Sequence, residues 1–396
     1  MVKLKKEEVD ALIVMRRHLH ANPELSFEEN KTAAFIRAKL EEVGITHIEP
    51  CAETGVVAII EGAHPGPVLA FRGDIDALPI IEASEVDYCS TNPGVMHACG
   101  HDVHTTLGLG VARALHARRA ELHGTIKCIF QPAEEASPQD EPIGAERMVC
   151  EGVLQNPDVD AIFAYHCMPT LDVGKIGYTG GPVWASSTLV EITLHGQKTH
   201  AAYPHSGIDT VVVAAQVIQA LQTVTSRRID TRQPCVLSIG KLEAGESYNI
   251  IADTAKMTGI LRTLSLEAEE IAIAEIQKIV SGVCMAFGAT GEVKFTPGAR
   301  LTANDVALEA RTVELMREAV GFDRVVAHLP QLGAEDFAAF SRRVPGCYLF
   351  LGIRNEAKGI VHMLHTPRFD VDEDCIELGV TAMSEALLAH GKTWDR

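Results

Sequence analysis

No stretch of this 396-residue chain offers the roughly 20 consecutive apolar residues that a membrane helix needs, so no membrane span is expected. The first residues, Met1 to Glu8, are rich in Lys and Glu and lack the apolar core of a secretion signal, which predicts a cytoplasmic protein. Paired cysteines are also missing. The ten thiols, at positions 51, 89, 99, 128, 150, 167, 235, 284, 347 and 375, form no C-x-x-C motif and no compact framework, as expected of free thiols in a reducing compartment. Positive charge is in short supply, with 35 Lys and Arg against 53 Asp and Glu and a net charge of -18. General nucleic-acid binding is thereby excluded, because phosphate contacts need clustered cations; a small anion in a locally basic site is not. Internal repeats and low-complexity tracts are absent. What remains is globular: 46% of residues are hydrophobic and 22% charged, over a length suited to about two or three domains.

Helical and strand-like periods alternate from the start. Lys6 to His20 and Glu28 to Val43 read as amphipathic helices, Gly55–Glu61 and Val68–Gly73 as strands, His104–Arg118 as a helix, and Thr125–Phe130 and Ala161–Tyr165 as buried strands. From Ser187 the order becomes strand (187–195), helix (209–228), strand (235–242), strand (255–264), helix (266–287) and strand (292–296), a βαββαβ ferredoxin-like unit. Helix and strand then resume at 305–320, 347–352 and 373–390. The expected fold class is α/β: a domain with a largely parallel mixed sheet flanked by helices, interrupted by a ferredoxin-like insertion. The expected boundaries are 1–184 and 299–396 for the larger domain and 185–298 for the insertion.

Four segments carry chemistry. Met96-His97-Ala98-Cys99-Gly100-His101-Asp102-Val103-His104 packs three His, one Cys and one Asp into nine residues ahead of a helix; Gly100 allows Cys99 and His101 to ligate from one tight turn. Phe130-Gln131-Pro132-Ala133-Glu134-Glu135 closes a strand with two acids. Neighbouring strand residues point to opposite faces, so one acid can bind a metal while the other, displaced by a turn, reaches a water. His166 follows an apolar strand, where open α/β sheets place ligands. Val361-His362-Met363-Leu364-His365-Thr366-Pro367 adds two late histidines. Together the segments supply S, N, O, N and N donors, enough for a paired-metal site.

These motifs, with Arg16-Arg17-His18-Leu19-His20-Ala21-Asn22-Pro23-Glu24-Leu25, Arg72-Gly73-Asp74-Ile75-Asp76-Ala77-Leu78-Pro79, Gly196-Gln197-Lys198-Thr199-His200-Ala201-Ala202-Tyr203-Pro204-His205, Gly333-Ala334-Glu335-Asp336-Phe337 and His365-Thr366-Pro367-Arg368-Phe369, resemble a known family end to end. It is the co-catalytic metallopeptidase and aminoacylase family, in its amidohydrolase branch of hippurate hydrolases, N-acyl-amino-acid amidohydrolases and auxin-conjugate hydrolases. The resemblance implies hydrolysis of N-acyl amino acids by a metal-activated water. Cys99, His101, Glu135, His166 and His365 match the metal-ligand positions and Glu134 the general base; His362 does not fit the pattern. His200 matches an oxyanion donor carried by the insertion, which in the family is a lid and dimerisation domain. Asn249 and Arg262 are candidates to hold the substrate carboxylate, and Asp76 to orient a ligand. Two divalent ions per subunit are implied, zinc or manganese first, cobalt or nickel as alternatives, in a homodimer or higher homo-oligomer. Rival readings are a dipeptidase or carboxypeptidase on the same site, and a non-catalytic metal-binding relative. Asp74 stands where many relatives carry His and is not assigned as a ligand. Thr199 replaces a common Gly, and the polar stretch Ala136–Glu146 is longer than is typical.

Overall fold

In the computed structural model residues 4–136, 142 and 144–394 are described. Positions 137–141 and 143, within the polar stretch just named, lie outside them; that stretch leads into a helix, Gly144–Cys150. The chain divides into two compact units. One comprises Met1–Gly181, Ala303–Leu329 and Asp336–Arg396; the other comprises Pro182–Thr302 and Pro330–Glu335.

The larger unit is a mixed α/β layer structure. Gly55–Glu61 (GVVAIIE) is buried at every residue but the last, as expected of a strand covered on both faces. It joins an eight-stranded sheet in the spatial order 48–51, 55–61, 123–131, 64–74, 161–172, 346–354, 176–178, 325–327. Strands 123–131, 64–74, 161–172 and 346–354 run parallel to one another at its centre, and antiparallel pairs flank them. Because the central strands are parallel, their C-terminal ends open on one edge. Asp74 pairs with Gln131 there, and His166 lies two residues beyond Ala164, the last partner of strand 64–74.

Helices cover the sheet. Lys6–Ala21 turns Leu12, Met15, Arg16, Leu19 and His20 inward. His101–Ala117 is buried along most of its length and packs against both Lys6–Ala21 and the C-terminal helix Asp374–Thr393. Leu107, Val111, Phe163, Leu351, Val380 and Leu387, all fully buried, belong to the shared core.

The smaller unit has the βαββαβ order. Strands Ser186–His195, Cys235–Ala244, Thr254–Thr263 and Thr290–Pro297 form an antiparallel sheet ordered 235–244, 254–263, 186–195, 290–297. Helices Thr210–Thr223 and Leu266–Phe287 start at Asp209 and Ser265, whose side chains accept backbone N–H bonds from Val211 and Ala268. A core of its own, including Val190, Ile192, Val217, Leu221, Ile276 and Val280, holds this unit together.

Element edges depart from the sequence reading in places. The helix expected from His104 begins at His101, because Gly100 adopts φ 92° and ends the preceding loop earlier. The strand expected to stop at Tyr165 runs on to Asp172. Short strands Ile48–Cys51, Ile176–Tyr178 and Val325–Ala327 at the sheet margins had no period long enough to read.

Candidate metal centre

The C-terminal edge of the parallel strands gathers donors from four distant segments. Cys99 Sγ lies 3.5 Å from His166 Nε2 and 3.3 Å from His365 Nε2. His365 Nε2 is 3.2 Å from Glu135 Oε1, and His101 Nε2 is 3.9 Å from that same oxygen and 4.0 Å from Glu134 Oε2. Two overlapping donor groups result, Cys99–His101–His166 and Cys99–Glu135–His365, with the sulfur common to both.

Backbone geometry explains the convergence. Gly100, at φ 92°, turns the chain between Cys99 and His101; a Cβ there would come within 2.9 Å of Cys167 Sγ. The strand carrying the paired acids ends at Gln131, and Ala133 takes a left-handed φ of 55°. The two acids therefore do not point to opposite faces, as strand alternation had predicted; the turn aims both at His101. His365 is also left-handed, φ 60°, and its N–H donates to Ala98 O at 2.8 Å, which ties this late loop to the Cys99 segment.

The second ring nitrogen of each imidazole sorts the histidines. His101 Nδ1 faces Asp76 O at 2.9 Å and Asp76 Oδ1 at 3.1 Å, and His166 Nδ1 faces Cys167 O at 2.7 Å. Both rings thus present Nε2 to the centre, with Nδ1 held by an acceptor that raises ligand basicity. His104 is different. Its Nδ1 faces Asp74 Oδ1 at 2.6 Å and its Nε2 accepts the Cys167 N–H at 2.8 Å, so no nitrogen is left for a metal. His97 is fully buried with neither nitrogen hydrogen-bonded among the described residues, and burial pushes its pKa down to about 4.

Electrostatics fits a bound cation. Burial drives the Cys99 thiol well above its ordinary pKa, and Glu135, Glu134 and Asp74 add to the effect. A thiolate at this position therefore calls for positive charge within bonding reach. Burial opposes charging His101, but Asp74 and Asp76 outweigh it and raise its pKa to about 10. Among the described residues, His101 Nε2 and Glu135 Oε1 are buried without a hydrogen-bond partner. The S···N separations match those set by a tetrahedral ion with bonds of about 2.0–2.3 Å, which places neighbouring ligand atoms roughly 3.5 Å apart. The residues present would fit a pair of divalent ions drawing on these two donor groups.

Residues 70–389 match the model of peptidase family M20/M25/M40. The chain belongs to that family. Among solved structures, a Bacillus subtilis protein described as a dinuclear metal-binding peptidase of family M20 superposes with a TM-score of 0.86 at 36% identity, covering 98% of this chain and 100% of the other. Among curated relatives, N-acetylcysteine deacetylase of Bacillus subtilis is 40% identical over 94% of this chain and 95% of its own. Thermostable carboxypeptidase 2 of Saccharolobus solfataricus is 39% identical over 97% and 96%. This M20 chain is a metal-dependent hydrolase of the amidohydrolase and peptidase type.

The M20 centre also recruits side chains to which sequence reading had given no role. Arg72, fully buried, donates to Asp74 Oδ2 (2.5 Å), Gln131 Oε1 (2.7 Å) and Asp336 Oδ1 (3.0 Å). Asp336 also accepts from Gln131 Nε2 and from the Ala145 N–H. Behind His101, the buried Arg16 guanidinium meets Asp102 at 2.9 Å, and Asp102 Oδ2 lies 2.7 Å from His20 Nδ1. The signal was available: Arg16, Arg72, Asp74 and Asp336 sit inside the Arg16–Leu25, Arg72–Pro79 and Gly333–Phe337 motifs.

His200, Asn249 and Arg262 belong to the smaller unit. His200 is exposed on a two-residue strand paired with Ile250, and its Nδ1 accepts the Ala202 N–H at 3.1 Å. The Ala201 N–H donates to Asn249 O, which ties the turn carrying Asn249 to the end of the His200 strand. Arg262 is on strand Thr254–Thr263, half-buried, and its Nη1 has no hydrogen-bond partner among the described residues. Burial lowers its pKa.

Proposed function

We propose that the chain hydrolyses the amide bond of N-acyl amino acids, with Glu134 as general base. The observation that carries this reading is the unequal placement of the paired acids. Glu135 Oε1 groups with Cys99 and His365, whereas Glu134 Oε2 lies 4.0 Å from His101 Nε2 and, among the described residues, no donor group joins it to the Cys99 sulfur. Glu135 is thus spent on ligation and Glu134 is left for proton transfer.

Cys99, His101, His166, Glu135 and His365 would hold two divalent ions; zinc or manganese suits this mix of sulfur, nitrogen and oxygen donors. Bound there, such ions supply Lewis acidity at the carbonyl and a lowered pKa for water. Glu134 takes the water's proton as the carbonyl is attacked and returns it to the leaving amine. Asp76 fixes the His101 ring through Nδ1. His200 serves as hydrogen-bond donor to the developing oxyanion, and Arg262 with Asn249 holds the substrate carboxylate; the unpartnered Arg262 Nη1 supports that assignment. The smaller unit doubles as lid and dimerisation domain of a cytoplasmic homodimer. Exposed Val211, Leu242, Met285 and Phe287 on that unit support a self-association role.

Glu134→Gln tests the reading. Its turnover of N-acetyl amino acids and hippurate, with Mn or Zn added, is expected to fall by about 10²–10⁴ with metal content unchanged. Near-normal turnover overturns it. Arg262→Ala is expected to raise KM for N-acyl amino acids far more than for neutral amides; equal effects on both remove the carboxylate clamp. The carboxypeptidase relative supports a second reading on the same centre. Preference for free-amino dipeptides over N-blocked ones would select a dipeptidase instead.

A further inference from the structure

The turn that aims Glu134 and Glu135 is held from outside the metal centre. Glu29 is buried, at 0% exposure. It occupies the N-cap position of helix Asn30–Glu41, where an acidic side chain would ordinarily accept the helix's own free N–H groups, yet it makes no such bond. Glu24 takes over that task, accepting from the N–H of Thr32 at 2.8 Å and of Lys31 at 3.2 Å. The Glu29 carboxylate turns inward instead. Oε1 accepts the N–H of Ala133 at 2.9 Å, and Oε2 accepts the Thr54 hydroxyl at 2.6 Å.

Ala133 is the left-handed residue, φ 55°, immediately before the two acids. A residue with a Cβ enters that region at a cost and stays there only when its surroundings insist. The same loop supplies a second hold. Ser26 Oγ donates to Asp76 Oδ2 at 2.7 Å, and that oxygen also accepts the Glu135 N–H at 2.9 Å. The loop from Ser26 to Glu29 thus grips the acid turn directly at Ala133 and, through Asp76, at Glu135.

We propose that Glu29 is a positioning residue for the paired acids, its carboxylate locking Ala133 in the left-handed conformation that brings Glu134 and Glu135 to the centre. This rests on the roles given above to Glu134 and Glu135. Burial pushes the Glu29 pKa up to about 7. A neutral side chain is therefore tolerated here, and Gln is a fair replacement: its carbonyl can accept the Ala133 N–H while its amide donates to Thr54.

The test uses three variants of the full chain: Glu29→Met, which keeps volume and removes the acceptor; Glu29→Gln, which keeps the acceptor; and Glu29→Met with Ala133→Gly, because Gly adopts positive φ without being held. Two readouts are taken: kcat and KM on an N-acetyl amino acid, and titration of the metal-stripped chain with cobalt followed by its visible absorption. Glu29→Met is expected to lower kcat by about 10–100-fold with KM little changed, and to weaken one cobalt equivalent by a similar factor. Glu29→Gln is expected to stay within about threefold of the parent, and Ala133→Gly to recover part of the Met defect.

A Met variant with parental kcat and cobalt binding overturns the proposal. So does a Gln variant as poor as the Met variant, or a Met defect that glycine leaves untouched. If Glu29→Met does not fold, Thr54→Val replaces it; unchanged kcat and cobalt binding in that variant then mark Glu29 as purely structural. Should Glu134→Gln prove active, the base assignment falls, but the cobalt titration still reports on the placement of Glu135.

Discussion

At the scale of single residues, the centre depends on contacts between groups remote in sequence. Cys99 and His365 stand 266 positions apart and meet at 3.3 Å. Because the sulfur belongs to both donor groups, losing it should affect both ions at once. Cys99→Ser is expected to retain less than half the metal of the parent after gel filtration, read by elemental analysis, and to lose turnover in proportion. Full retention would assign the sulfur a packing role only. A second residue, Glu82, sets an acid limit. Its carboxylate lies 3.1 Å from His20 Nε2 and accepts the Ser90 N–H at 2.6 Å. Burial works against its charge, but these partners hold its pKa down to about 2, against an ordinary 4.5. A folded value below the unfolded one stabilises the fold above about pH 4.5, and that contribution fades as pH falls toward 2. Urea titrations should show the stability gap between the parent and Glu82→Gln closing over that window. A gap that does not change with pH would show that Glu82 acts by packing alone.

At the scale of elements, the turns decide where chemistry happens. Gly100 is the clearest case. It needs positive φ, and an added Cβ would meet the Cys167 side chain at 2.8 Å. Gly100→Ala is therefore expected to cost about 2 kcal/mol or more in denaturant unfolding and to weaken metal binding by at least about tenfold. A tolerated substitution would show that the Cys99–His101 turn has slack. The same elements show why some of the molecule was legible in the sequence and some was not. Gly55–Glu61 announces itself as an unbroken apolar run, and Leu266–Phe287 by a helical period sustained over many residues. Strand Val325–Ala327 is too short to do so. The clustered donors at 97–104 were visible as chemistry, but choosing among His97, His101 and His104 from the residues alone was not. That choice depends on what each second nitrogen meets, namely Asp76 for His101 and Asp74 with Cys167 for His104, and those partners are set by tertiary packing. Glu29 was hidden for a related reason: at a helix start an acid reads as a cap.

At the scale of the whole molecule, two cores in one chain predict two responses. The five donor side chains all belong to the larger unit, and the smaller unit has its own buried cluster of Val190, Leu221, Ile276 and Val280. A ligand stabilises only the cooperative unit that binds it. Stripping metal with a chelator is expected to lower one calorimetric transition by several degrees and leave a second within about one degree. A single transition that moves as a whole would show that the units unfold together.

The order of donors along the chain carries a last consequence. Cys99, His101, Glu135 and His166 all precede the smaller unit, whereas His365 follows it. During synthesis the early donors emerge long before the last one. A nascent chain can offer an incomplete cage, but the full set exists only once synthesis has passed through the whole smaller unit and reached His365. A chain truncated before His365 would carry the scaffold of the centre without its closing member.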